Sequence, residues 1–477
     1  MKRLLIALAL IPLLSSGQND FQTLYYALLA NQGNSTVQEA LIDSFFLVHP
    51  ETPYVSGDSA VFLHRGSATS VQVAGDFNSW NPSGNDLFPI GGSTLKYRSL
   101  SFEPTARLDY KLIVSGNWVL DPLNPHTAPG GFGANSELAM PQYVQPWEIV
   151  VDPSVPSGTI ITHSINSTNT NKTYPVHVYL PPNYDSTQNY PTVYFQDGTE
   201  YRLLGSSTTV LDNLIAADSI QPVIGVFVTP TNRNDEYAFA LRDAYTAFFA
   251  QELVPYIDGM YSTINGPWGR MVLGDSFGGN ISALIAFQHE EVFGNVGFHS
   301  GAFWPDDFHT LDVIAQSDAD NIRVAMVWGT YESVKYYNRT LRDSLIQEGF
   351  PVHWGEYYEG HSWGLWRATL DELIDFAFPL DELSTPEEVL VPEVTTFPNP
   401  FADSVRFRVE HASDRPTSIR LYSTKGKLAM MVNLSRSAWS LGEYELSTGA
   451  LPAGMYFAEF TWPNGEKRTV RILKQAL

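Results

Sequence analysis

The sequence predicts an α/β core flanked by two small all-β domains, and three observations predict it. From about residue 150 to 380, short apolar runs alternate with amphipathic helical stretches. On either side the period changes to two, with Gly, Ser, Asn and Pro between the runs. Within the core, Met271-Val272-Leu273 meets Gly274-Asp275-Ser276-Phe277-Gly278, followed by a helical stretch. That is strand, sharp turn and helix with a serine at the apex, between glycines that leave a strained turn room.

Composition bounds the function. The chain has 477 residues, 44% of them hydrophobic, enough for roughly three domains with packed cores. Its 28 basic and 51 acidic residues give a net charge of −23, which excludes nucleic acid and anionic membranes as partners. There is no cysteine, so disulfides, thiolate metal sites and cysteine nucleophiles are excluded. No histidine–carboxylate group has metal-ligand spacing, and no reading requires a metal or cofactor.

Taken in order, Lys2-Arg3, the apolar run Leu4 to Leu14 and Ser15-Ser16-Gly17 have the pattern of a signal peptide, residues 1–17. The run is too short to span a bilayer, which takes about 20 apolar residues. Residues 18–52 read as a short helical segment broken at Gly33-Asn34-Ser35. From Pro53 the alternating runs SAVFLHRG, SVQVAGDF, LKYRSLSF and LDYKLIVSG predict an antiparallel β-sandwich over 53–148.

The core, residues 149–380, follows. THSIN and PVHVYLP predict an antiparallel edge hairpin; TVYFQDG, PVIGVFVTP, RMVLGDS, NVGFHSG, RVAMVWGT and PVHWGEYY predict a largely parallel sheet covered on both faces. This is the outline of an α/β-hydrolase. Such a sheet carries a nucleophile, then an acid, then a histidine. Glu332 follows strand RVAMVWG and His361 the next strand, so Ser276, Glu332 and His361 are the candidate triad. His361 would take the Ser276 proton, and Glu332 would fix its tautomer. Asp306, Asp307 and Asp320 are rival acids, but they precede the relevant strand.

After Phe378 the chain turns acidic and Pro-rich, which predicts a linker over 381–396. Alternating strands over 397–477 predict a second sandwich.

Motifs sharpen this outline. YFQDGTEY (Tyr194 to Tyr201), RNDEY (Arg233 to Tyr237), ELVPYIDGMY (Glu252 to Tyr261), FGNVGFHSGAFW (Phe293 to Trp304) and GHSWGLWR (Gly360 to Arg367) resemble the esterase family that includes esterase D, feruloyl esterases and enterochelin esterases. The resemblance implies ester hydrolysis. It also implies an oxyanion hole from the amides of Phe277 and of Gly198 or Thr199. Glu332 stands where relatives commonly have aspartate. Arg233, Glu236 and Tyr237 are expected to rim the pocket or, the preferred reading, to brace it through an ion pair, and Trp304, Tyr331 and Trp363 are candidates for an aromatic acyl pocket or plain core.

VAGDFNSWNP (Val73 to Pro82) and DYKLIVSGNWVLDPLNP (Asp109 to Pro125) resemble early-set modules related to glycogen-binding domains. In that family two tryptophans, a lysine and an asparagine form a sugar platform, and Trp80, Trp118, Lys111 and Asn135 match them. The alternative is a structural prop whose tryptophans only pack. Pro398-Asn399-Pro400, Leu451 to Tyr456 and the basic final strand resemble the sorting domain of type IX secretion substrates. That implies export to the surface of a Bacteroidetes-type bacterium, the alternative being a generic binding sandwich.

Three classes of function remain: a secreted serine carboxylesterase on feruloyl or acetyl esters of plant polysaccharides, a siderophore-trilactone esterase, and a non-catalytic glycan-binding surface protein. An intact Ser276, Glu332 and His361 disfavours the third. The acidic chain disfavours the second, whose ferric catecholate substrates are anionic.

Overall fold

Eight strands make the central sheet: β1 Thr159–Ser167, β2 Lys172–Leu180, β3 Thr192–Phe195, β4 Ile224–Val228, β5 Arg270–Asp275, β6 Asn295–His299, β7 Arg323–Gly329 and β8 Val352–Tyr357. Their order is β1-β2-β4-β3-β5-β6-β7-β8. The hairpin β1–β2 and the β2–β4 pair are antiparallel, and every pair from β4 to β8 is parallel. These are the features of a computed structural model that describes residues 20–317, 319, 322–380, 393–410, 415–435, 438–439, 443–462 and 467–475. The expected signal peptide, the rival acid Asp320 and residues 381–392 of the expected linker lie outside the described residues.

Alternation along the strands feeds two cores. In β5, Val272 points into one, with Phe248, Ile281, Leu284 and Leu345. Met271 and Leu273 point into the other, with Val210, Leu214, Leu373 and Ile374. Because both faces are covered, β3, β4, β5 and β6 are buried end to end and read as unbroken apolar runs. Helix Phe277–Gln288, directly after β5, is buried from Gly278 to Phe287 and therefore lacks a polar stripe.

Before the sheet come helices Asp20–Ala30 and Ser35–Val48, the second capped by the Asn34 side chain. Two antiparallel sheets follow. One holds Tyr54–Ser56, Ser59–Arg65, Leu95–Ser101 and Phe88–Pro89; the other holds Val71–Gly75, Arg107–Val114, Asn135–Ala139, Thr127–Ala128 and Asn117–Val119. Strand Ser59–Arg65 is apolar on both sides for a reason. Ala60 and Phe62 face the sandwich interior, while Val61 and Leu63 pack under the two helices with Phe21, Leu28 and Phe45.

The described residues up to Leu380 form one compact unit and those from Glu393 a second. The second has its own core, including Val405, Phe407, Ile419, Phe460 and Ile472, between sheets of three and four strands. Its first strand, Glu393–Phe397, pairs with Ser404–Glu410. Residues 393–396, expected as linker, are therefore part of that sheet. Among the described residues no helix is long and apolar enough to cross a membrane, and no group of three or more His, Asp or Glu side chains is arranged to hold a metal.

Candidate active site

Parallel strands deliver their following loops to one edge, and the candidate residues lie on four such loops. Gly198 and Thr199 follow β3, Ser276 follows β5, Glu332 follows β7 and His361 follows β8.

Ser276 sits at φ 53°, ψ −116°, a conformation that costs a non-glycine residue about 1–3 kcal/mol. The turn closes because its neighbours lack side chains. A Cβ on Gly274 would lie 2.4 Å from the Gly278 backbone. The Ser276 amide donates to the His299 carbonyl at 2.9 Å, and the Ser276 carbonyl accepts from Ala302 at 3.0 Å. The hydroxyl is thus carried by a backbone tied to β6.

His361 Nδ1 is hydrogen-bonded to Glu332 Oε2. The other oxygen, Glu332 Oε1, accepts from the Gly329 amide at 2.7 Å, and the side chain is 2% exposed. A carboxylate held this way offers one fixed acceptor to the imidazole. Trp366 stands edge-on to His361 with ring centroids 5.0 Å apart, and its indole donates to Ser300 at 2.9 Å. Burial disfavours the imidazolium of His361. Glu332, with Asp275 and Asp76 behind it, more than offsets that and holds its pKa above the ordinary 6.5.

Beneath Ser276 lies a second charged group. Arg233 Nε and Nη2 grip the Asp197 carboxylate at 2.7–2.9 Å and Nη2 lies 3.7 Å from Asp275. Burial pushes Asp275 up to about 7, helped by Asp197 and opposed by Arg233 and His361. The Asp197 amide donates to the Tyr237 hydroxyl at 2.9 Å, so this group braces the turn that leads to Gly198 and Thr199. The amides of Gly198 and Thr199 lie in the first turn of helix Gly198–Leu203, and that of Phe277 in the first turn of its own helix. First-turn amides have no intrahelical acceptor, which leaves them as donors.

Ser276 and His361 line a cavity of about 720 Å³. With them stand Arg233 and Trp363 from the hydrolase sheet, and Trp80, Lys111, Trp118 and Asn135 from the N-terminal sandwich. The two sandwich indoles are stacked, 6.3 Å between centroids at 28°. Trp80 Nε1 donates to Asp76 and Asn135 donates to Asp109 at 3.0 Å.

Of the expected pocket residues, Trp304 and Tyr331 do not line the cavity, and Tyr237 braces it from behind. Tyr237 is fully buried behind Asp197. The Tyr331 hydroxyl turns away to Glu103 at 2.5 Å. Trp304 packs on Phe277 with centroids 5.3 Å apart. The rival acid Asp306 is exposed and paired with Arg242 at 2.9 Å.

Sequence reasoning missed Asp76, Asp109, Phe132 and Trp366, all of which line the cavity. Asp76, Asp109 and Trp366 lie inside the motifs that carry the resemblances, and Phe132 is a lone aromatic inside Gly130-Gly131-Phe132-Gly133; it is fully exposed.

The sheet order and the strand-end loops define an α/β-hydrolase-like core. Comparison with known proteins agrees. Residues 167–376 match the family model described as Putative esterase, and residues 395–475 match a secretion system C-terminal sorting domain. The first match covers the hydrolase-like core and the second the C-terminal unit.

Among curated proteins, the uncharacterized protein YjcH of Bacillus subtilis (strain 168) is 28% identical over 229 residues, 44% of this chain and 94% of that one. The endo-1,4-beta-xylanase/feruloyl esterase of Xylanibacter ruminicola is 26% identical over 288 residues, 56% of this chain and 38% of that one. Among solved structures, the enterobactin esterase FES from Shigella flexneri superposes with a TM-score of 0.59 at 22% identity, covering 70% of this chain and 97% of that one; this likeness bears on the fold alone.

Proposed function

We propose that this chain is an exported serine carboxylesterase that cleaves feruloyl- or acetyl-type esters of plant polysaccharides through an acyl-enzyme on Ser276. One observation carries the reading: Ser276, on its strained turn, and His361, hydrogen-bonded to Glu332, line the same cavity.

In the reaction His361 Nε2 accepts the Ser276 proton as Oγ attacks the ester carbonyl. Glu332 keeps the other proton on Nδ1 and stabilises the imidazolium that forms. The Phe277 amide, with that of Gly198 or Thr199, receives the oxyanion, each donor worth about 3–4 kcal/mol in the transition state. His361 then protonates the leaving alcohol, and water repeats the sequence in reverse to release the acid.

The substrate class rests on the wall opposite the serine. Stacked Trp80 and Trp118 offer flat apolar faces suited to an aryl ring or a sugar, and Lys111 offers a donor to hydroxyls. The early-set resemblance and the feruloyl esterase relative support the same class. The cavity also holds Asp76, Asp109, Asp197, Glu200 and Asp275 against Lys111 and Arg233. That lining suits a neutral ester better than an anionic ferric catecholate. The sorting-domain segment supports export by a type IX route, which would put the enzyme where polymers are met.

Hydrolysis rates on methyl ferulate, acetylated xylan and enterobactin test the assignment. The first or second is expected to lead by at least tenfold. A lead for enterobactin makes the protein a siderophore-trilactone esterase instead, and no turnover of any ester leaves a glycan-binding protein.

A further inference from the structure

The loop carrying His361 is held from outside the hydrolase sheet. It leaves β8 at Tyr357 and runs through Glu359-Gly360-His361-Ser362 into helix Trp363–Ala368. Against it lie strand Arg107–Val114 and Asp76, both from the N-terminal sandwich. The Arg107 amide donates to the Tyr358 carbonyl at 3.1 Å. The Arg107 guanidinium, 1% exposed, binds Asp109 at 2.7 Å and Glu137 at 2.9 Å. It also reaches the Ser362 hydroxyl at 3.3 Å and Glu359 at 3.6 Å.

The approach is close enough to dictate residue type. A Cβ on Gly360 would sit 2.0 Å from the Asp76 carboxyl carbon, and one on Gly364 would sit 1.8 Å from Arg107 Nη1. Asp76 is itself fixed, accepting from the Asp109 amide at 2.7 Å and from Trp80 at 3.1 Å. Contacts from the sandwich thus fall on Tyr358, Glu359, Gly360, Ser362 and Gly364, on both sides of His361. The acid's loop is tied down likewise. Tyr331, beside Glu332, donates to Glu103 and packs on Phe102, and its amide donates to the Glu359 carbonyl at 3.0 Å.

Charge makes Arg107 the keystone of this contact. Asp109, Glu137 and Glu359 surround it, with Asp76 close by; Arg367 is 3.9 Å from Glu137. Burial pushes Glu359 up to about 8, and Arg107 opposes that rise. Removing the guanidinium leaves Asp109 to Asn135 and Glu137 to Gln145, but takes from the buried Glu359, two residues before His361, its cationic partner, and so loosens the hold on that loop.

We propose that Arg107 is a positioning residue for His361: from a separate sandwich it fixes the loop that aims the imidazole at Ser276. This rests on reading Ser276, Glu332 and His361 as a triad. His361 serves both acylation and deacylation, so a misaimed ring lowers kcat and leaves substrate binding nearly intact.

The test uses the full chain, with Arg107→Gln and Arg107→Lys, on 4-nitrophenyl acetate. Active sites are counted by labelling to completion with a fluorophosphonate. Arg107→Gln is expected to lower kcat per labelled site at least tenfold with KM within threefold, and Arg107→Lys to recover part of the loss. If Arg107 only docks two domains, the labelled fraction falls but kcat per labelled site stays within twofold of wild type, which overturns the proposal. Should Arg107→Gln not fold, Ser362→Ala removes the hydroxyl that Arg107 meets. A threefold or greater fall in its kcat at unchanged KM supports the proposal, and an unchanged kcat overturns it. A wild-type chain that neither labels nor turns over ester overturns the triad reading itself, a result distinct from an active enzyme indifferent to Arg107.

Discussion

Glu332→Gln isolates what the buried acid does. The wild-type carboxylate uses Oε1 to accept from the Gly329 amide and Oε2 to hold His361 Nδ1. Glutamine has one oxygen and one NH2 for these two places. If the oxygen stays on Gly329, the NH2 faces Nδ1, the imidazole carries its proton on Nε2, and it cannot accept from Ser276. Reversing the amide opposes two N–H groups at Gly329, a buried unsatisfied donor worth about 1–3 kcal/mol. In either orientation the negative charge that stabilises the imidazolium is gone, and a hydrogen bond to a charged group is worth about 1.5–3 kcal/mol. Together these give about 2.5–6 kcal/mol, a fall in kcat of about 10²–10⁴ at 1.36 kcal/mol per tenfold. Steady-state kinetics on 4-nitrophenyl acetate, with KM expected within threefold, make the measurement. A loss of less than tenfold in a folded variant would refute the assignment of Glu332.

Further outcomes follow from the same geometry. His361 must be neutral to act as base and its pKa is raised, so kcat/KM is lost as pH falls through a value above 6.5, and Glu332→Gln moves that limb to lower pH; a pH–rate profile checks both. Trp118→Ala removes half of the stacked pair, about 0.5–1.5 kcal/mol or roughly 2–12-fold in KM for a feruloylated oligosaccharide, with 4-nitrophenyl acetate unaffected. The two units have separate cores, so a chain ending at Leu380 is expected to unfold cooperatively and keep its kcat within about twofold.

What the sequence reveals depends on how local the cause is. The elbow is legible because everything that makes it, three apolar residues and the flanking glycines, lies within a few positions of Ser276. The inner strands β3 to β7 are legible because burial on both faces leaves unbroken apolar runs. Glu332 and His361 are readable by position, each just past a strand. The cavity wall is different. Arg107 meets Ser362 across 255 positions and Tyr331 meets Glu103 across 228, and no periodicity reports such pairings. Tyr331 looks like a pocket residue beside Glu332, yet its hydroxyl is drawn to a carboxylate on another domain. Gly364 reads as an ordinary helical glycine until Arg107 is found pressed against it. The start of the C-terminal sheet was masked in the same way, since Glu393–Phe397 continues an acidic, Pro-rich stretch and becomes a strand only by pairing with Ser404–Glu410.

The central claim is that Ser276 is the nucleophile, and trapping its covalent adduct tests that most directly. The full chain is incubated with a fluorophosphonate, digested and mapped by mass spectrometry, with Ser276→Ala in parallel. A single adduct on the peptide containing Ser276, formed in step with loss of ester hydrolysis and absent from a folded, inactive Ser276→Ala protein, is the predicted result. An adduct on another residue, or a Ser276→Ala protein that keeps more than about a tenth of the wild-type rate, would contradict it.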